Sequence, residues 1–155
     1  MYLQQLARWF YRGRRPNDVA RLMNIVGAAI SALGVAPNYT VMLQVIGRRT
    51  GRLIAFPLVM VVQGGERYLV SMLGADVAWV RNLEAAQGRA LLRHGQIEYV
   101  RLEEIPVEQR APILKAYLKR APGARPHIAV DKDAPITAFE AVAAQIPVFR
   151  VCAMA

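Results

Sequence analysis

Three runs rich in β-branched and large apolar residues, 40–46, 53–63 and 66–73, follow one another with only the segment Gly47–Arg52 and the pair Gly64-Gly65 between them. Linkers this short cannot carry a crossover helix, so the runs are expected to pair as consecutive antiparallel strands. Pro57 interrupts the second run. A proline donates nothing to a strand ladder, so it marks an edge or a bulge, where a ligand often lies against the backbone.

The rest of the chain reads around these strands. Residues 2–13 place Leu3, Leu6, Trp9 and Phe10 near helical spacing, with Arg8, Arg12, Arg14 and Arg15 around and after them, which describes a short basic amphipathic helix. Pro16 ends it, and Asn17 or Asp18 can cap a second helix that runs to about Leu33 and closes at Gly34. The apolar stretch 22–37 is shorter than the roughly 20 residues that cross a bilayer and reads as a core helix. Asp76 can cap a helix closed by Gly88. Strands follow at 90–93 and 96–105, turned at His94-Gly95 and stopped by Pro106. Helical spacing over 107–120, a loop rich in proline, glycine and charge over 121–133, a helix from Pro135 to about Gln145 and a closing strand at 147–152 complete the chain. Six short strands, mostly joined as hairpins and decorated by helices, predict an α+β fold built on a small, mostly antiparallel β-barrel. One domain, 1–155, is expected, with a helical segment over 1–36 and the barrel over 38–152.

Charge narrows the partners. Lys and Arg number 20 against 11 Asp and Glu, for a net charge of +9, and only Lys115, Lys119 and Lys132 are lysines. Arginine presents a planar fork of donors that suits phosphate and carboxylate oxygens, so anionic ligands or surfaces are expected. Nucleic acid is not expected: the aromatics stand mostly at apolar positions, the arginines are spread along the chain, and no finger or RNP-like motif occurs. Two isolated histidines and the single Cys152 supply neither a metal cluster nor a nucleophilic triad. The lone cysteine suits a reducing cytoplasm, and the N-terminus lacks the pattern of a signal peptide. The basic helix at residues 1–15 has two readings, packing over the barrel end or peripheral contact with the inner face of a membrane.

Two segments carry candidate chemistry. In Gly47-Arg48-Arg49-Thr50-Gly51-Arg52 the glycines permit a tight turn with exposed amides, and three arginines with a hydroxyl supply donors to phosphate oxygens; a solvated basic hairpin is the plainer alternative. In the stretch 71–83 a strand end feeds a helix whose start offers free amides, with Trp79 and Asn82 three apart on one side. A core tryptophan beside a hydrogen-bonded asparagine fits equally well.

Gly47-Arg48-Arg49-Thr50-Gly51, then Phe56-Pro57-Leu58, then Trp79-Val80-Arg81-Asn82-Leu83, in this order and spacing, resembles the deazaflavin-dependent nitroreductase family over residues 38–105, and more loosely at Pro147-Val148-Phe149. The resemblance implies a split β-barrel that binds coenzyme F420, or FMN in some relatives. By position, Arg48, Arg49, Thr50 and Gly51 would meet the phosphate tail, with Arg52 standing in for a basic residue that the family carries where this chain has Ile54. Pro57, Leu58 and Val59 would flank the ring, and Ser71, Met72, Leu73 and Gly74 with Trp79 and Asn82 would complete the pocket. The family also commonly has a basic residue at the position of Leu73. The C-terminal tyrosines of nitroreducing members have no clear match, leaving Tyr117, His127 and Phe139 nearby; Tyr117 and His127 are the candidates for the substrate side. The implied activity is hydride transfer to an electron-poor small molecule such as a quinone, an enone or a nitro compound, by a monomer or homodimer. The alternative is a carrier of a flavin-like or other lipophilic ligand.

Overall fold

The computed structural model describes residues 40–121 and 128–154. The two helices expected before residue 36 and part of the loop at 121–133, with His127, lie outside the described residues. Six strands are present: β1 Thr40–Ile46, β2 Leu53–Gln63, β3 Glu66–Val70, β4 Arg89–His94, β5 Gln96–Glu104 and β6 Val148–Ala153. Helix α1 spans Ala78–Ala85, α2 Ala111–Arg120 and α3 Ile136–Val142, with single 3-10 turns at Val107–Gln109 and Ala143–Gln145.

All six ladders are antiparallel and close into a barrel in the order β1-β2-β3-β6-β5-β4, with β4 pairing back onto β1. Successive side chains of a strand alternate between faces, so cross-strand partners identify the interior. Val41, Leu43 and Val45 point inward, Val41 opposite Leu58 and Leu43 opposite both Phe56 and Leu92. Met60 pairs with Leu69, Leu69 with Phe149, Val151 with Leu102 and Val100 with Ala90. All of these inward residues are buried. The same parity sends Arg67 and Glu98 inward at one end, where they form a two-pronged ion pair at 2.8 and 2.9 Å.

Helix α2 turns Ile113, Leu114, Tyr117 and Leu118 inward and packs on β2 and β3, while Phe139 of α3 is fully buried beside it. The outward residues Ala55, Val59 and Val61 are therefore buried as well. A strand covered on both faces carries a continuous apolar run instead of an alternating one, as β2 does.

Three expectations are corrected. Strand β3 stops at Val70 and does not reach residue 73. The Ser71 amide donates to the Pro147 carbonyl at 2.9 Å and the Ser71 hydroxyl to the Gly74 carbonyl at 2.5 Å, folding 71–74 into a turn. Asp76 does not cap α1, whose N-cap is Val77 without a side-chain bond; the Asp76 carboxylate pairs instead with Arg81 one turn into the helix. The expected single helix over 107–120 is broken at Arg110, which separates the 3-10 turn from α2.

Helix α1 ends at Ala85 with Ala86 as its cap, two residues before the expected end, and Gly88, at φ +81°, still donates its amide to the Leu83 carbonyl of the last turn at 2.9 Å. A Cβ here would stand 2.6 Å from the Leu102 carbonyl oxygen, so only glycine fits. Pro57 meets Met42 of β1, while β3 pairs only with residues 60–63 of β2. Its missing N–H therefore leaves no second ladder short, and the local edge expected there is present.

Candidate functional site

The turn between β1 and β2 is closed by its own backbone. The Gly47 amide donates to the Arg52 carbonyl at 2.7 Å and the Gly51 amide to the Gly47 carbonyl at 2.8 Å. Gly51 adopts φ +69°, and the Arg52 amide reaches the Thr50 hydroxyl at 3.3 Å. The turn is also tied to α1, because the Asn82 Oδ1 accepts from the Arg48 amide at 3.2 Å and from the Arg48 guanidinium at 2.7 Å. Most of the amides expected to face a ligand are thus spent inside the structure, and what the turn presents to solvent is the exposed side chains of Arg49, Thr50 and Arg52.

An open cleft of about 520 Å³ lies beside it, lined by Arg48, Ala75, Asp76, Arg81, Glu84 and Ala85. The two segments singled out in the sequence therefore meet in space, one supplying Arg48 and the other Ala75, Asp76 and Arg81, with Glu84 and Ala85 added from just beyond it. Asp76 and Glu84 balance Arg48 and Arg81 within the cleft. The surplus positive charge sits on Arg49 and Arg52, for which no ion pair forms among the described residues.

Helix α1 presents the cleft with a different face from the one the spacing suggested. Trp79, Val80, Asn82 and Leu83 are buried, and Arg81, Glu84 and Ala85 look outward. Trp79 is wedged between Phe56, stacked at 6.1 Å between centroids, and Phe149, edge-on at 5.6 Å. Its indole N–H is buried and has no hydrogen-bond partner among the described residues. Trp79 and Asn82 thus take the plainer of their two readings, a core tryptophan and a bonded asparagine, and Asn82 serves the site through Arg48. Asp76 stands just before the helix start, but its carboxylate pairs with Arg81 and bonds none of the first helix amides. Arg81, Glu84 and Ala85 were missed by sequence reasoning; the i, i+3, i+4 spacing that joins them was the available signal.

The other candidates divide by exposure. Ser71 and Met72 are buried, Leu73 is 39% exposed, and Gly74 has φ +97° immediately before the cleft residue Ala75. Leu58 is buried inside the barrel, Val59 is buried on the outer face of β2, and Pro57 on that same face is half-buried. Tyr117 is 4% exposed in the layer between α2 and the barrel, where burial pushes its hydroxyl well above the ordinary tyrosine range. That position gives it a packing role rather than contact with a ligand in the cleft.

A family model described as F420H(2)-dependent quinone reductase matches residues 15–139. The chain belongs to the F420H(2)-dependent quinone reductase family. It is thereby an F420-dependent reductase by family, and the split-barrel expectation agrees with its solved neighbours. An F420-H2 dependent reductase superposes with a TM-score of 0.53 at 20% identity, over 73% of this chain and 93% of that one. A protein of unknown function from Agrobacterium tumefaciens gives 0.57 at 13% identity over 81% of this chain, which spans 55% of that protein's length. A chain solved as a domain-swapped dimer gives 0.53 at 20% identity, over 88% and 99%. No curated protein matches this sequence. Against the F420H(2)-dependent family's needs, the exposed pair Arg49 and Arg52 suits an anionic tail, and Leu73, 39% exposed and two residues before the cleft residue Ala75, offers apolar surface that suits a ring system. Among the described residues no His, Cys, Asp and Glu cluster could hold a metal, and no helix is long and apolar enough to cross a membrane.

Proposed function

We propose that this chain binds F420H2 with its anionic tail at the turn Gly47–Arg52 and reduces an electron-poor organic acceptor, a quinone foremost, with enones and nitro compounds in the same chemical class. The observation that carries the reading is the placement of charge: Arg49 and Arg52 stand exposed without an acidic partner among the described residues, on a turn fixed by Arg48 and Asn82 beside an open cleft. Charge-assisted bonds from guanidinium groups to phosphate and carboxylate oxygens are the strong class of hydrogen bond, and a rigid turn loses little freedom in making them. Thr50 adds a hydroxyl donor. Pro57 with the backbone at Leu58 and Val59, and the Ser71–Gly74 turn with Leu73, supply the apolar walls for a ring.

When bound, F420H2 supplies the hydride, and the protein contributes orientation and electrostatics. Reduction of a carbonyl or nitro group places negative charge on oxygen, which calls for a donor; the His127 imidazole is the group we assign to that task.

Oxidation of F420H2 by a soluble quinone, followed by absorbance alongside direct titrations with F420 and FMN, tests the reading. Turnover that saturates in the quinone, with F420 bound in preference to FMN, is the expected result. F420 binding without turnover of quinone, enone or nitro acceptors would make the chain a carrier, and absence of F420 binding would remove the proposal altogether.

A further inference from the structure

The β4–β5 hairpin carries charge that the fold does not use. Across its outward face Arg89 is opposite Arg101, Leu91 opposite Tyr99 and Arg93 opposite Ile97. Like charges directly opposite each other destabilise a strand pair, so Arg89 and Arg101 are a cost to the barrel. The nearby acids do not relieve it, because each already has an arginine: Glu98 is paired with Arg67, Glu103 with Arg150 and Glu104 with Arg110. Among the described residues Arg93 and Arg101 have no acidic partner, and the Arg89 guanidinium donates only to the Gln87 amide oxygen at 3.3 Å.

Apolar side chains stand exposed between these cations. Tyr99 is 71% exposed, Ile97 55% and Met154 46%, and Met154 is held beside Tyr99 by its amide, which donates to the Tyr99 carbonyl at 3.2 Å. We propose that this face docks on an anionic lipid surface, with Ile97, Tyr99 and Met154 entering the boundary between headgroups and acyl chains and Arg89, Arg93 and Arg101 among the headgroups. Charge decides among the possible occupants. A second copy of the chain meeting this face across a twofold would set arginine against arginine. A nucleic acid would find one aromatic ring to stack on, with Ile97 and Met154 offering no π-face. An anionic bilayer satisfies both halves of the patch, and tyrosine favours that boundary.

Co-sedimentation of the full chain with phosphatidylcholine vesicles, with and without phosphatidylglycerol, tests this. Wild type is expected to pellet with the anionic vesicles and to be released by salt. The combined variant Arg89→Gln, Arg93→Gln, Arg101→Gln is expected to lose more than about tenfold in partitioning, given the attraction each cation gains near such a surface. The matching Arg→Lys variant is expected to retain binding, which separates loss of charge from loss of fold, and Ile97→Ser with Tyr99→Ser is expected to weaken binding at every salt concentration. Vesicle binding that survives the Gln variant but is lost in Arg8→Gln, Arg12→Gln would overturn the proposal in favour of the N-terminal segment. Binding of a single-stranded oligonucleotide without vesicle binding, or a change of oligomeric state in the Ser variant without vesicle binding by wild type, would overturn it as well.

Discussion

At Asn82 one side-chain oxygen fixes the arginine turn to helix α1, accepting both from the backbone and from the guanidinium of Arg48. Asn82→Ala removes the acceptor and leaves the Arg48 amide and guanidinium to find water. Hydrogen bonds to charged groups are worth about 1.5–3 kcal/mol, so a stability loss of that order is expected in urea unfolding, with a roughly three- to tenfold weaker F420 titration. Unchanged affinity in a destabilised protein would make the tie purely structural. The sequence brought Trp79 and Asn82 together correctly but could not say which side of α1 faces the barrel. Three-residue spacing fixes a shared face, and only packing against Phe56 and Phe149 decides that this face is the buried one.

Arg110 shows what a single buried cation does to the elements around it. It is 5% exposed and donates to the carbonyls of Ile105 at 3.1 Å, Ala143 at 3.0 Å and Ile146 at 3.3 Å, and to the Glu104 carboxylate at 2.9 Å. The end of β5, the start of α2 and the 3-10 turn after α3 are thereby joined, and the Pro147 carbonyl just beyond holds the Ser71 amide at the edge of the site. Arg110→Met removes the guanidinium from three carbonyls, of which Ala143 keeps the Ile146 amide as a donor, and from the Glu104 carboxylate, and is expected to cost about 2–4 kcal/mol by urea denaturation. Arg110→Lys restores only part of this, because an ammonium cannot reproduce the planar fork. An arginine in an amphipathic stretch reads as a surface residue, which is why helical spacing over 107–120 hid the break at this position. The signal that would reveal it, convergence of carbonyls from distant segments, exists only in the folded chain.

For the whole molecule, the barrel was legible because its turns are short: Gly47–Arg52, Gly64-Gly65 and His94-Gly95 each force a hairpin, and antiparallel neighbours leave few ways to close six strands. The double burial of β2 and the early end of β3 were not legible, since both depend on what α2 and Pro147 bring to them. Across the barrel end the hydrogen bond from Arg67 holds the Glu98 carboxyl below its ordinary value. A depressed folded pKa stabilises above the unfolded value of about 4.3, and that contribution is lost as pH falls through the folded value. The pair is partly exposed, so Glu98→Gln is expected to cost under about 1 kcal/mol at neutral pH, and the difference from wild type in urea midpoints should shrink as pH falls and vanish below the folded value. A difference that persists there would assign the effect to packing.

Cofactor binding as proposed depends most on the arginine turn as the place where the anionic tail is held. Fluorescence titration of F420 into wild type and into Arg49→Ala, Arg52→Ala, repeated at rising salt, tests this directly. Loss of two charge-assisted contacts predicts affinity weaker by more than about tenfold and a shallower salt dependence than wild type, with thermal stability unchanged. Equal affinity and equal salt dependence in the two proteins would contradict the account and place the tail elsewhere.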